Sequence, residues 1–215
     1  MKIGILGSGI VGVTLANGFI KHGYAVLLGT NDKTKYADLK TKTAGKAGIG
    51  SFEEAAQFGE ILVLAVRGRA AETVIKKVGL EKFKDKLVLD TTNPIADDEP
   101  VNGVLKFFTS LDGSLMERLQ RAAPSARFVK AFSCIGNAFF VNPDFGGVKP
   151  TMFICGNDAK AKEQAVQILT QFGFEPADMG SVEAARAIEP LCILWCIPGF
   201  LQNDWNHAFK LLKKG

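Results

Sequence analysis

The segment that most constrains this chain lies near its start. Gly7-Ser8-Gly9-Ile10-Val11-Gly12 follows directly on the apolar run Lys2–Leu6 and opens a helical pattern over residues 10–22. Each glycine has its own use: Gly7 permits a tight turn, Gly9 keeps side chains away from a bound phosphate, and Gly12 lets the helix lie close on the sheet. A helix beginning there offers unpaired N–H groups and the positive end of its dipole to an anion. A glycine-rich turn without a ligand has the same letters, but the strand before it and the helix after it favour the phosphate-binding reading. Gly12, Ala16, Phe19 and Ile20 share one face of that helix, and Gly23 stands where a helix ends.

Further short apolar runs occupy residues 24–28, 61–66, 86–90, 127–132 and 151–155. They are nearly continuous rather than alternating, as strands buried on both faces of a parallel sheet are. Helical patterns lie between them at 52–58, 70–78, 114–122 and 159–172. Asp158 is placed to cap the last of these and Gly173 to end it. Repeated strand–helix alternation behind such a glycine loop is the signature of an α/β, Rossmann-type doubly wound, mostly parallel sheet. The polar stretch 93–103, with Pro94, Pro100 and three acidic residues, reads as a long loop or lid. Residues 1–181 are expected to form the nucleotide-binding domain with additional strands. Residues 182–215 form a short C-terminal helical segment of two helices, about 182–195 and 200–213, separated at Pro198-Gly199, with Pro190 interrupting the first.

The charge of +4, from 26 basic and 22 acidic residues, gives no reason to expect a nucleic-acid or membrane partner. Cys134, Cys155, Cys192 and Cys196 form no Cys-x-x-Cys pair and have no histidine beside them. No metal site or redox dithiol is expected, and free buried thiols suit a cytoplasmic, reducing setting. No membrane span is expected, because the most apolar stretch, 191–201, is short and holds Pro198 and Gly199. The N-terminal stretch lacks a signal cleavage site and is read as the first strand and helix.

Cofactor choice is written at the tip of the second strand, Gly29-Thr30-Asn31-Asp32-Lys33-Thr34-Lys35. NAD sites place a carboxylate there for the ribose hydroxyls, whereas NADP sites supply neutral donors and cations to the 2′-phosphate. Thr30, Asn31, Lys33 and Lys35 fit NADP(H). Asp32 lies close to the spacing of an NAD carboxylate and is expected to sit past the strand end and point elsewhere. A solvated charged loop would carry the same lysines.

Three more stretches bear a resemblance. They are Leu89-Asp90-Thr91-Thr92-Asn93-Pro94; Val129-Lys130-Ala131-Phe132-Ser133 with Ile135-Gly136; and the run from Phe153-Ile154-Cys155-Gly156-Asn157-Asp158 through Asp178-Met179-Gly180-Ser181 to Ala185-Arg186-Ala187-Ile188-Glu189-Pro190-Leu191. With the glycine loop, they resemble the NADP oxidoreductases that use the deazaflavin coenzyme, and equally the cytosolic reductase domain of six-transmembrane ferric reductases. The resemblance implies NADP(H) bound at Gly7, Ser8, Gly9, Ile10, Val11 and Gly12, with the 2′-phosphate near Thr30, Asn31 and Lys35. Val66 and Arg67 would border the dinucleotide, while Asn93, Pro94, Ala131 and Phe132 would line the nicotinamide side. It also implies a homodimer formed through the C-terminal segment. Many relatives carry arginine where this chain has Asn31, an amide without the guanidinium's charge and fork. Either Lys33 supplies that charge or the cofactor preference is relaxed.

The chemistry points the same way. A hydroxy-acid dehydrogenase needs an acid–base group beside the substrate oxygen. His22 falls at the far end of the first helix and His207 in the last, and strand alternation turns Lys130 away from the face of Ala131. Hydride exchange with a flavin or deazaflavin needs two flat rings held face to face and no such group. Asn93, Ala131 and Phe132 are the expected positioning residues. Phe107, Phe108, Phe139, Phe140 and Trp195 are candidates for a stacking slot, although most of the 16 phenylalanines belong to a core. A small-metabolite dehydrogenase or imine reductase is an alternative, disfavoured by the short C-terminal segment. A non-catalytic NADP(H)-sensing module is another.

Overall fold

A computed structural model describes residues 1–214. Its elements run β1 (Lys2–Leu6), α1 (Ile10–Lys21), β2 (Ala25–Gly29), α2 (Tyr36–Lys42), β3 (Gly48–Gly50), α3 (Phe52–Phe58), β4 (Ile61–Leu64) and α4 (Gly68–Val78). There follow β5 (Leu87–Asp90), α5 (Leu115–Ala122), β6 (Arg127–Lys130), β7 (Thr151–Ile154), α6 (Ala159–Gln171), β8 (Glu175–Asp178), α7 (Ala185–Ile188) and α8 (Leu191–Gln202). Six strands form one parallel sheet in the order β3-β2-β1-β4-β5-β6. This is a Rossmann-type doubly wound sheet. Its strand order reverses between β1 and β4, and the crevice at that switch point lies at the carboxyl ends of the strands. β7 and β8 pair in parallel as a separate ribbon, joined to the main sheet by an antiparallel bridge between Lys130 and Cys155.

The central strands alternate their side chains between two cores. Ile3, Ile5, Val63 and Leu89 face α1 and α6 with Leu15, Phe19, Ile168 and Phe172. Leu6, Leu62, Leu64, Val88 and Phe128 face α3, α4, α5 and α7 with Ala55, Val74, Leu119 and Ile188. Burial of these apolar side chains, each worth about 1.5–3 kcal/mol when complete, drives the layering. Local signals agree with it. Ser51 with Glu54 and Ser114 with Glu117 form capping boxes on α3 and α5, and the Asp158 side chain caps α6 through the Ala161 N–H.

The C-terminus departs from expectation. Pro198 lies inside α8 and does not end it; the helix runs on to Gln202 and stops at Asn203, whose φ is +54. The second helix expected at 200–213 does not form. Beyond Asn203 the chain folds back instead. The Trp195 indole donates to the His207 carbonyl, the Trp195 carbonyl meets His207 Nε2, and the Thr151 N–H donates to the Phe209 carbonyl at the start of β7. His207 is therefore in an irregular tail. Pro190 stands at the junction of α7 and α8. Val182–Gln202 is long and apolar enough to cross a membrane by length and composition alone, which corrects the expectation that no segment is. The run is nevertheless broken into a 3-10 turn, α7 and α8, and Glu189 between the helices is buried.

Candidate functional site

At the end of β1 the chain turns at Gly7, with φ +133, against the connection that leaves β4. A Cβ there would overlap the Ala65 carbonyl, and one at Gly12 would overlap the Gly7 carbonyl. These two glycines let three backbone segments meet. Gly9 differs, because its φ of −73 and ψ of −176 suit any residue and a Cβ would meet nothing within 4 Å. The chain's own packing requires no glycine there, so the empty space above it is what the glycine preserves. Gly9 is also the N-cap of α1, with no side-chain cap and no acidic residue in the first turn. The N–H groups of that turn lack helical partners, and the positive end of the helix dipole lies open.

The crevice over this loop is a cleft of about 800 Å³. It is bordered by Gly7, Ser8, Gly9, Ile10, Val11, Lys35, Val66, Arg67 and Asn93, nine of the residues singled out from sequence. Thr91 and Thr92, from the stretch that carries the resemblance, and Ile95, Ala96 and Asp97, from the expected loop, border it too, as do Phe52, Gly68 and Arg69, which the sequence did not single out. Gly68 opens α4 so close to the β5 turn that a Cβ would overlap the Asn93 carbonyl. Arg69 pairs with Asp97 at 3.1 Å at the cleft border, and the guanidinium groups of Arg69 and Arg118 lie over the Phe108 ring, at 5.5 and 5.6 Å from its centre. Asn93 donates through Nδ2 to the Ser133 carbonyl at 3.1 Å, while its buried Oδ1 has no partner. An open phosphate cradle at one end and an orphaned amide oxygen at the wall fit a dinucleotide.

At the tip of β2, Asp32 accepts from the Thr34 N–H and hydroxyl and lies 3.6 Å from Lys35. The Thr34 bonds hold its carboxyl below the ordinary aspartate value. Oδ1 is thus committed to the turn, while Oδ2 faces Lys35. Thr30 is buried and its hydroxyl accepts from the Asp32 N–H, while Asn31 and Lys33 are exposed outside the cleft border.

Several expected residues lie elsewhere. Gly12 and Pro94 are buried behind the surface, the Pro94 carbonyl accepting from the Phe108 N–H. Ala131 is buried, and the Phe132 ring packs among Phe140, Phe172 and Phe174, so it offers no stacking face to the cleft. The reason is backbone geometry. Phe132 adopts φ +60, which bulky residues rarely do, and its N–H meets Met152 Sδ beneath β7. Phe140 shares that core, Phe139 packs on Phe145, and Trp195 covers Gly136. Phe107 and Phe108 are half-buried, Phe108 at the Arg69–Arg118 platform.

Behind the cleft floor three charged groups are buried together. Lys130 Nζ lies 2.7 Å from Asp90 Oδ2, 3.0 Å from Glu189 Oε1 and 2.8 Å from the Thr92 carbonyl. Burial alone would favour the neutral amine, but the two carboxylates outweigh it and raise Lys130 above the ordinary lysine value. The group is a fixed cation, sealed from the cleft. His22 caps α1 and stacks on Phe172, and no histidine borders the cleft. A second concavity of about 690 Å³, at the opposite end of β5 and β6, is bordered by Asp85, Arg127 and Asp158, where Arg127 pairs with both aspartates.

The switch point thus carries a glycine-loop cleft with Lys35, Arg67 and Arg69 at its border. Residues 2–94 match the family described as NADP oxidoreductase, coenzyme F420-dependent. The chain thus resembles an NADP-dependent oxidoreductase family. A candidate F420-dependent NADP reductase of Arthrobacter sp. FB24 superposes with a TM-score of 0.91 at 26% identity, over 99% of this chain and 100% of that one. Metalloreductase STEAP3 of Rattus norvegicus is 28% identical over 205 residues, 93% of this chain and 39% of that protein. Metalloreductase STEAP2 of Homo sapiens is 22% identical over 191 residues, 89% of this chain and 36% of that protein. The chain therefore spans about two fifths of the curated relatives it matches. An imine reductase of Myxococcus stipitatus shares the fold, with a TM-score of 0.68 at 16% identity, over 94% of this chain and 63% of that one.

Proposed function

We propose that this chain is an NADP(H)-dependent oxidoreductase that transfers hydride between nicotinamide and a flat, flavin-like acceptor, a deazaflavin or a flavin, with or without onward relay to ferric iron. The observation that carries the reading is Gly9. Open space and uncapped N–H groups stand over it at the switch point, where no contact within the protein calls for a glycine. When bound, NADP(H) supplies or takes the hydride. The chain's part is to hold it, with the α1 N-terminus and Gly9 receiving the pyrophosphate, Lys35 on the 2′-phosphate side, Val66 and Arg67 alongside, and Asn93 towards the nicotinamide. Asp32 turns Oδ1 to Thr34 and Oδ2 towards Lys35, an arrangement that favours NADP over NAD because both oxygens face the chain's own groups.

The acceptor reading is supported by what borders the cleft. No histidine is there, Lys130 is locked behind the floor, and the Thr91 and Thr92 hydroxyls donate to the Leu64 carbonyl and to Asp90. Positioning and water exclusion, rather than acid–base help, are what such a site offers. Exposed Leu194, Phe200 and Leu201 on α8, where Leu201 lies against Gly103, give the proposed homodimer its apolar face. We place the protein in the cytoplasm, with no nucleic-acid or membrane partner. The test is NADPH oxidation followed by absorbance against deazaflavin coenzyme, FMN, FAD, riboflavin and ferric citrate with and without flavin, repeated with NADH. Saturable turnover with a flavin-like acceptor and preference for NADPH are expected. Tight binding without turnover across the panel would refute the acceptor, and better use of NADH would refute the Lys35 assignment.

A further inference from the structure

The three buried charges behind the cleft floor have no part in hydride transfer, yet two of them, Asp90 and Lys130, bond to one residue that borders the cleft. Asp90 and Lys130 end β5 and β6 and stand opposite one another in the sheet register. Asp90 Oδ1 accepts both the N–H and the hydroxyl of Thr92, at 2.9 and 2.7 Å, and Lys130 Nζ donates to the Thr92 carbonyl at 2.8 Å. Every polar group of Thr92 is thereby committed. Its neighbours Thr91 and Asn93 border the cleft with it.

Glu189, at the α7–α8 junction, completes the arrangement. Its two oxygens accept from the Leu115 and Met116 N–H groups, each at 3.0 Å, while one also pairs with Lys130. Two carboxylates face one ammonium, and the positive end of α5 offsets the surplus. Strand ends that needed only to be held together could use apolar side chains of similar volume at equal or better stability. The ionic version instead delivers directed hydrogen bonds to the turn at 91–93.

We infer that Lys130 is a positioning residue for the nucleotide cleft: acting through the Thr92 carbonyl, and itself held by Asp90 and Glu189, it fixes the turn at residues 91–93 and so keeps Asn93 and its unpartnered Oδ1 at the cleft wall. The inference rests on the cleft being the NADP(H) site. It also links the C-terminal helices to the nucleotide, since Glu189 reaches Lys130 from between α7 and α8.

The test compares Lys130→Met, Glu189→Gln and the core variant Phe83→Leu in the whole chain, by thermal unfolding and by NADPH titration well below each melting temperature. Phe83 is buried beyond the far end of α4 and serves as a control for lost stability alone. Lys130→Met is expected to weaken NADPH binding about tenfold, and Glu189→Gln roughly threefold. Phe83→Leu should lose stability and keep its affinity. The inference is overturned if Lys130→Met and Glu189→Gln melt earlier but bind NADPH as the parent does. If Lys130→Met does not fold, Glu189→Gln decides by the same criterion. Failure of the parent chain to bind NADPH would instead refute the nucleotide reading and take the inference with it.

Discussion

Replacing Gly9 by alanine separates binding from folding. The backbone there is already in a conformation alanine adopts, and the new methyl group would meet no atom within 4 Å. Two small effects oppose one another: alanine has less freedom to lose from the unfolded chain, by about 0.4–1 kcal/mol, but it caps a helix less well than glycine, so stability should change by less than about 1 kcal/mol in either direction. The methyl group would, however, project into the space over the first turn of α1, between its N–H groups and a phosphate. Hydrogen bonds to a charged group contribute about 1.5–3 kcal/mol each. Losing one or two should weaken NADPH binding on the order of a hundredfold. Gly12→Ala is the counterpart. Its Cβ would overlap the Gly7 carbonyl, so α1 must shift, at a cost of about 1–3 kcal/mol typical of overpacking. Calorimetric titration with NADPH and urea unfolding of both variants read the two quantities separately. An unchanged affinity in Gly9→Ala, or a clear loss of its stability, would refute the reasoning.

Two further outcomes follow from charges. Lys35→Ala should weaken NADPH roughly fivefold, the worth of one exposed ion pair, while leaving NADH unchanged, as paired titrations at low and high salt would record. Glu117 is held down to about 2, first by its bonds to Arg186 and then by Ser114, against the opposing effect of burial. A carboxyl depressed in the folded state stabilises fully above its unfolded value near 4.5, and that contribution fades as pH falls towards 2. Glu117→Gln should therefore be less stable than the parent at pH 7, by about 2 kcal/mol after allowance for the exposed guanidinium. The gap should close on acidification, which urea unfolding at pH 7, 4.5 and 3 would follow.

The central strands were legible because buried parallel strands are continuous apolar runs, and α6 because Asp158 caps it and Gly173 follows it; α2, a seven-residue helix with Leu39 its one buried residue, has no apolar stripe to read. β3 is only Gly-Ile-Gly and β8 is Glu-Pro-Ala-Asp, so neither has a run or an alternation to read. Both are set by their partner strands. The expected last helix failed because contacts distant in sequence, Trp195 with His207 and Thr151 with Phe209, outweigh a local helical pattern. In the site, the glycine loop was readable because its spacing is fixed by backbone sterics. Arg69, Asp97 and the Asp90–Lys130–Glu189 cluster were not, since only the fold brings their charges together. Phe132 misled because a positive φ, invisible in sequence, turns its ring into the core.

Anaerobic single-turnover mixing of the protein with NADPH and each flavin or deazaflavin reads hydride transfer itself. Acceptor absorbance should bleach in step with NADPH loss, one for one, at a rate that saturates with NADPH and is slowed when Gly9 is replaced by alanine. NADPH that binds tightly while the absorbance of every acceptor stays constant would contradict hydride transfer to such an acceptor.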